Sequence, residues 1–180
     1  MLDKNYKFDA FLGTDVESRV RAINSYDVLS GVFIDVPATV EKTEVWAKTI
    51  VQNTSRTDFV LRDENDTAIA FSGLVNIQPK HRVAELYIFI AESAKGQGVG
   101  SDLLECTLKY AKDELNLRKI TLYVTDGNEK ACNFYERFGF RKEGTLLQHS
   151  WHRGQYLDRY IYSLFLCDLN SELNVYKAMQ

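Results

Sequence analysis

The sequence predicts one α/β domain of the α+β type, built on a mostly antiparallel mixed sheet, and three observations carry that prediction. Strand-like runs at 58–62, 68–77 and 83–90 are joined by the short polar turns Asp63-Glu64-Asn65-Asp66 and Gln78-Pro79-Lys80. Connections this short join antiparallel neighbours. A long helix follows at 98–115, where Val99, Leu103, Leu104, Leu108, Ala111 and Leu115 recur at helical spacing and form one apolar face. The chain then reads as strand 119–124, helix 128–138 stopped by Gly139, and a closing strand pair at 140–147 and 156–166. Such an order layers helices on a sheet.

Before these elements come a short strand at 6–12, a helix at 15–24 and a second helix at 40–53 with Thr39 as its N-cap. Residues 25–38 mix Gly31 with apolar side chains and follow neither period. The 180 residues fit one domain spanning 1–180, with two prolines, no repeat and no low-complexity linker.

A hydrophobic fraction of 45% beside 26% charged residues is that of a soluble folded chain. The net charge of −3, with both signs mixed along the length, argues against a nucleic-acid surface and suits a cationic partner. The N-terminus lacks the pattern of a signal peptide and no apolar run is long enough to span a membrane, so a cytoplasmic protein is expected. Cys106, Cys132 and Cys167 are odd in number and widely spaced, which reads as reduced thiols rather than a disulfide framework. His81, His149 and His152 lack metal-ligand spacing, so no metal is expected.

Between the third strand and the long helix lies Lys95-Gly96-Gln97-Gly98-Val99-Gly100-Ser101. Alternating glycines leave backbone N–H groups uncovered, and the helix adds its unpaired first-turn N–H groups and its positive dipole end. Together they form a site for phosphate, with Lys95 adding charge at the rim. A Walker loop would end in Gly-Lys-Ser/Thr, whereas this turn ends Gly100-Ser101-Asp102. A dinucleotide fingerprint would place glycine or alanine at Ser101 and open the first βαβ unit. Neither nucleotide fold fits; a flexible strand-to-helix connection is the bland alternative.

With these residues the chain resembles the GNAT superfamily of N-acetyltransferases. Its cofactor motif, Arg/Gln-x-x-Gly-x-Gly/Ala, is matched by Lys95 to Gly100 apart from lysine in the first position. A second match is Asn128-Glu129-Lys130-Ala131, then Tyr135, Phe138-Gly139-Phe140 and Glu143-Gly144. The segment 149–162 is similar to the closing hairpin of the ribosomal-protein N-terminal acetyltransferases and the spermidine N-acetyltransferases. The likeness covers 73–166. The spermidine enzymes' Trp-Phe-Glu-Glu-Pro stretch is replaced here by Phe33-Ile34-Asp35-Val36-Pro37.

The resemblance implies a GNAT fold with helices on both faces and a splayed strand pair holding acetyl-CoA. It implies that Tyr87, Ile88, Phe89 and Ile90 offer a strand edge to the pantetheine. Asn128 and Ala131 would meet that arm and Lys130 a phosphate, and a homodimer is a family expectation. Asn128 is equally well read as a helix N-cap.

The implied chemistry is attack of an amine on a thioester. A primary amine with a pKa near ~10.4 is almost wholly protonated at pH 7, a cost of roughly 4–5 kcal/mol, so a base is required. Glu85 is the candidate, because Glu85, Tyr87 and Phe89 share one face of 83–90 while Ala84, Leu86, Ile88 and Ile90 share the other; a half-exposed strand glutamate is the alternative. Tyr135 is the candidate acid or thiolate-binding group, although Ala131, Tyr135 and Phe138 also form an ordinary core face. Asp35, Glu41, Glu44, His149, Trp151 and Asp158 are candidate acceptor contacts, and equally solvated or packing residues. The implied acceptor is a small-molecule amine: polyamine, amino acid or amino sugar. A protein N-terminus or lysine is the alternative, and a non-catalytic acyl-CoA sensor is the reading of another class.

Overall fold

The computed structural model describes residues 6–25, 28, 37–152 and 154–168. Strand β1 spans Lys7–Ala10, helix α1 Val16–Ile23 and helix α2 Val40–Ile50. Then come β2 (Thr57–Arg62), β3 (Ala68–Gln78), β4 (Val83–Ile90), α3 (Val99–Asp113), β5 (Lys119–Thr125), α4 (Glu129–Arg137), β6 (Arg141–His152) and β7 (Gln155–Phe165). One seven-stranded sheet holds them in the order β1-β2-β3-β4-β5-β7-β6, with every neighbouring pair antiparallel except β4 and β5. The expected element types hold, and the differences lie at their ends. Helix α2 stops at Ile50, short of the expected 53, and β6 runs to His152 because its outer half pairs with β7 across the hairpin.

Alternation along the strands sorts the core onto two faces. Phe59, Leu61, Leu74 and Leu86 pack under α3 with Leu103, Leu104 and Leu108. Val60, Phe71 and Phe89 point the other way and pack with Ala22 and Ile23 of α1. Complete burial of a side chain such as Leu104 or Phe71 contributes about 1.5–3 kcal/mol. Helices therefore cover both sheet faces, as the GNAT resemblance implies.

Two polar locks fix the first helices. Arg62 of β2 forks onto Asp15 at the head of α1, Nη1 to Oδ1 at 2.7 Å and Nη2 to Oδ2 at 2.9 Å, with both residues buried. The Leu12 N–H also donates to Asp15 Oδ2 at 2.8 Å. Thr39 caps α2, its hydroxyl accepting from the Lys42 N–H at 3.3 Å.

Candidate active site

The parallel pairing of β4 with β5 is brief: Val83, Ala84 and Glu85 face Lys119, Ile120 and Thr121, and there the register ends. On its other side β4 remains paired to β3 as far as Ile90. From Leu86 to Ile90 the strand therefore presents one backbone edge without a β5 partner, which is the splay the resemblance implies. A cavity of about 850 Å³ opens there, lined by Glu85 and the whole run Leu86–Ile90, by Lys95 and Gly100, and by Asn128, Lys130, Ala131, Phe134 and Tyr135.

At the mouth of the splay, Gly96 and Gly98 take φ of 73° and 83°, a left-handed backbone that glycine adopts without strain. A Cβ at either would meet nothing within 4 Å, so their N–H groups stay approachable. Gly100 serves differently: a Cβ there would come within 2.7 Å of Ile90 Cδ1, so its absence lets α3 begin against β4. Lys95 lines the cavity and its Nζ lies 2.8 Å from Glu92 Oε2. Gln97, Val99 and Ser101 belong to the turn and first helical residues without lining the cavity. The Asn128 side chain accepts from the Ala131 N–H at 3.1 Å, so it caps α4 while also lining the cavity. Cap and ligand contact are compatible, since the cap uses Oδ1 and the amide nitrogen is a separate donor.

Tyr135 is buried between Phe134 and Phe140, ring centroids 5.2 and 5.5 Å away, yet it also lines the cavity. Burial pushes its phenol well above the ordinary tyrosine range. On β4, Glu85 receives a hydrogen bond from Asn76 Nδ2 at 3.1 Å. Asn76 sits where the β3–β4 register shifts, with φ of 51°. Sequence reasoning missed Asn76; an asparagine near the end of a strand is a weak signal of such an irregularity.

The cavity continues onto the α1/α2 face, where Arg19, Lys42, Trp46 and Arg56 join the lining, and Tyr123 and Arg159 flank it from β5 and β7. None of these six stands out in the sequence. Tyr87 donates its hydroxyl hydrogen to Asp58, and Arg56 holds the same carboxylate through Nε and Nη2 at 2.8 and 2.7 Å. Burial raises the Tyr87 phenol far above its ordinary value, and Asp58 reinforces the shift against the opposing pull of Arg19 and Arg56. Gly73 makes room for this pairing: a Cβ there would overlap the Tyr87 ring and approach Asp58 Oδ1 to 2.9 Å. An isolated glycine inside a strand was the available signal.

The acceptor candidates fall elsewhere. Glu41 is exposed on the first turn of α2, Glu44 is exposed further along it, and His149 and Trp151 are exposed on β6. None of these four lines the cavity, and Trp151 meets Tyr156 edge-to-face, ring centroids 4.9 Å apart, instead. Asp158 accepts from the Gln148 N–H at 2.7 Å and holds the β6–β7 hairpin. Asp35 lies outside the described residues. Among the described residues no group of three or more His, Cys, Asp or Glu is placed to hold a metal ion, and no helix is long and apolar enough to cross a membrane.

A glycine turn at a helix start, feeding a splay beside an aromatic-lined cavity, defines a class of acyl-CoA-dependent transferases. Residues 24–140 match the model of the acetyltransferase (GNAT) family, and the chain belongs to that family; by class it is an acetyl-CoA-dependent N-acetyltransferase. It is similar to a spermidine N(1)-acetyltransferase of Vibrio cholerae, 37% identical over 118 residues that cover 66% of this chain and 68% of that enzyme. The spermidine N(1)-acetyltransferase of Escherichia coli K12 is 34% identical over 66% of this chain and 63% of its own length. The crystal structure of spermidine N-acetyltransferase from Vibrio cholerae in complex with CoA and spermine superposes with a TM-score of 0.85 at 27% identity, over 90% of this chain and 96% of that one.

Proposed function

We propose that the protein transfers the acetyl group of acetyl-CoA to a primary amine of a small molecule by direct attack in a ternary complex. The observation that carries this reading is the continuity of one cavity. It runs from the splay and the start of α3, where a CoA pyrophosphate and pantetheine fit, past Tyr135 and Glu85 to the α1/α2 face. The relatives named above are spermidine acetyltransferases, which makes polyamines the reference acceptors.

In this reading the turn at Gly96–Gly100 takes the pyrophosphate on backbone N–H groups, aided by Lys95 and Lys130. The free edge of Tyr87–Ile90 pairs with the pantetheine amides. Glu85, oriented by Asn76, receives the proton of the incoming ammonium directly or through water. The amine lone pair then forms the new C–N bond at the thioester carbon, the C–S bond breaks to release CoA thiolate, and the nitrogen's second proton passes to water. Tyr135 donates a hydrogen bond to that sulfur. Its raised pKa makes full proton transfer to a thiolate near ~8.5 strongly uphill, so stabilisation rather than early protonation is its contribution.

The test is release of free CoA thiol from acetyl-CoA with a panel of polyamines, amino acids, amino sugars and peptides. Turnover with one or more small amines is expected. Turnover with peptides alone would move the acceptor to protein N-termini, and no turnover alongside measurable CoA binding would indicate a sensor. Glu85→Gln should lower kcat/KM by roughly 10²-fold, in the range typical of a positioned base. Undiminished turnover in Glu85→Gln would exclude Glu85 as the base.

A further inference from the structure

Among the described residues, the charge lining the acceptor half of the cavity is at odds with a polycationic substrate. Arg19, Lys42 and Arg56 line that half from α1, α2 and the residue before β2, and Arg159 lines it from β7. Among the described lining residues the only carboxylate is Glu85. Asp58 lies beneath, but both its oxygens are held by Arg56 and one also by Tyr87. That carboxylate is therefore already committed to Arg56 and Tyr87.

Arg19 is the telling member. It is 6% exposed, and its guanidinium rests on the ring of Trp46 at 4.2 Å, with Phe89 at 5.0 Å and Tyr87 at 5.6 Å. Its side chain has one described hydrogen bond, Nη1 to the Tyr87 hydroxyl at 3.4 Å, and no carboxylate within ion-pair distance among the described residues. Aromatic faces attract a cation but do not replace the hydration a buried charge loses. A buried cation bordering a cavity, with no carboxylate in ion-pair distance among the described residues, is a site for an anion.

Position gives that anion a partner group. Glu85, Tyr87 and Phe89 occupy one face of β4, and same-face neighbours on a strand are about 7 Å apart. A small bifunctional molecule fits this spacing, with its amino group at Glu85 and its negative group over the Tyr87–Phe89 surface beside Arg19. The CoA phosphates do not account for the site, because the glycine turn begins α3, against the opposite face of the sheet from α1.

We propose, building on the acetyltransferase reading, that the acceptor is an amine that also carries an oxyanion, a carboxylate or a phosphate, bound against Arg19 beside Arg56. The polyamines of the relatives carry no such group.

The experiment compares matched pairs on the intact protein by CoA thiol release: 4-aminobutyrate with butylamine, glucosamine 6-phosphate with glucosamine, and spermidine as the polycation. A charge-assisted contact of about 1.5–3 kcal/mol corresponds to roughly ten- to hundredfold in kcat/KM, so the anionic member of at least one pair should win by that margin and exceed spermidine. Which pair responds distinguishes carboxylate from phosphate. Arg19→Gln should erase that margin through KM with kcat retained for the anionic amine, and Arg19→Lys should restore part of it. Spermidine or the neutral members turning over best, or a margin that survives Arg19→Gln, would overturn the inference while leaving the acetyltransferase reading intact. Absence of thiol release with every amine would remove both. If Arg19→Gln fails to fold, the wild-type comparison alone decides the matter.

Discussion

Gly73 and Tyr87 show how a single missing methyl group shapes the site. The Tyr87 ring occupies the space a Gly73 side chain would take, and its hydroxyl reaches Asp58 only because that space is open. Gly73→Ala must move an aromatic ring or the β3 backbone, and overpacking of this kind costs about 1–3 kcal/mol. Denaturant unfolding should show that loss together with a raised KM for the acceptor; a fully stable variant with normal kinetics would mean the ring is not held there. Tyr135 makes a second prediction at this scale. Because burial raises its pKa, it stays protonated across the working range, so kcat should show no basic limb assignable to tyrosine below pH ~10. Tyr135→Phe should lower kcat by roughly 10²-fold, as loss of a donor to a developing anion does, with little change in acetyl-CoA affinity. A basic limb that disappears in Tyr135→Phe would show instead that the phenol titrates. The sequence marked Tyr135 and Glu85 as candidates, since motif spacing and strand alternation both operate over short distances. It did not mark Arg19, Arg56 or Asn76. An arginine on an amphipathic helix looks like any solvated charge until the helix is docked, and only then does it face Trp46 and Phe89.

At the scale of elements, the glycine turn, α3 and the Asn128-capped α4 were legible because caps, glycines and helical periods are local signals. Their arrangement around the splay was less so. The end of β4–β5 pairing at Glu85 depends on how two strands distant in sequence diverge, and no local pattern announces it. The same holds for the Arg62–Asp15 fork, which joins residues 47 positions apart and pins the start of α1 to β2. That pair is buried, and removing Asp15 leaves the Arg62 guanidinium only its longer contacts to Asp9 and Asp66, at 4.0 and 3.8 Å. Asp15→Ala should cost about 3–5 kcal/mol in equilibrium unfolding. The loss should fall on acceptor kinetics before acetyl-CoA binding, because α1 carries Arg19 whereas the glycine turn stands on the other side of the sheet. A cost below ~1 kcal/mol would show that the fork is not part of what positions α1.

For the whole molecule, one sheet separates two tasks. The face beneath α3 and the start of that helix suit the nucleotide end of the cofactor, and the face beneath α1 and α2 suits the acceptor. In the proposed reading the two meet at the gap between β4 and β5. This division explains why the fold and the cofactor side were readable from sequence while the acceptor side was not. The former rests on backbone geometry that glycines and caps announce, the latter on side chains gathered from α1, α2, the residue before β2, β4, β5 and β7. Glu41 and Glu44, acidic residues on α2, and His149 and Trp151, on the closing hairpin, stand outside the cavity, because local sequence does not tell which side chains converge there. The central claim is that acetyl-CoA and amine occupy this one cavity together and react directly. Initial rates measured while varying both substrates test it most directly. The structure predicts double-reciprocal lines that intersect, as a ternary complex requires. Parallel lines, together with an acetylated enzyme trapped in the absence of amine, would contradict it.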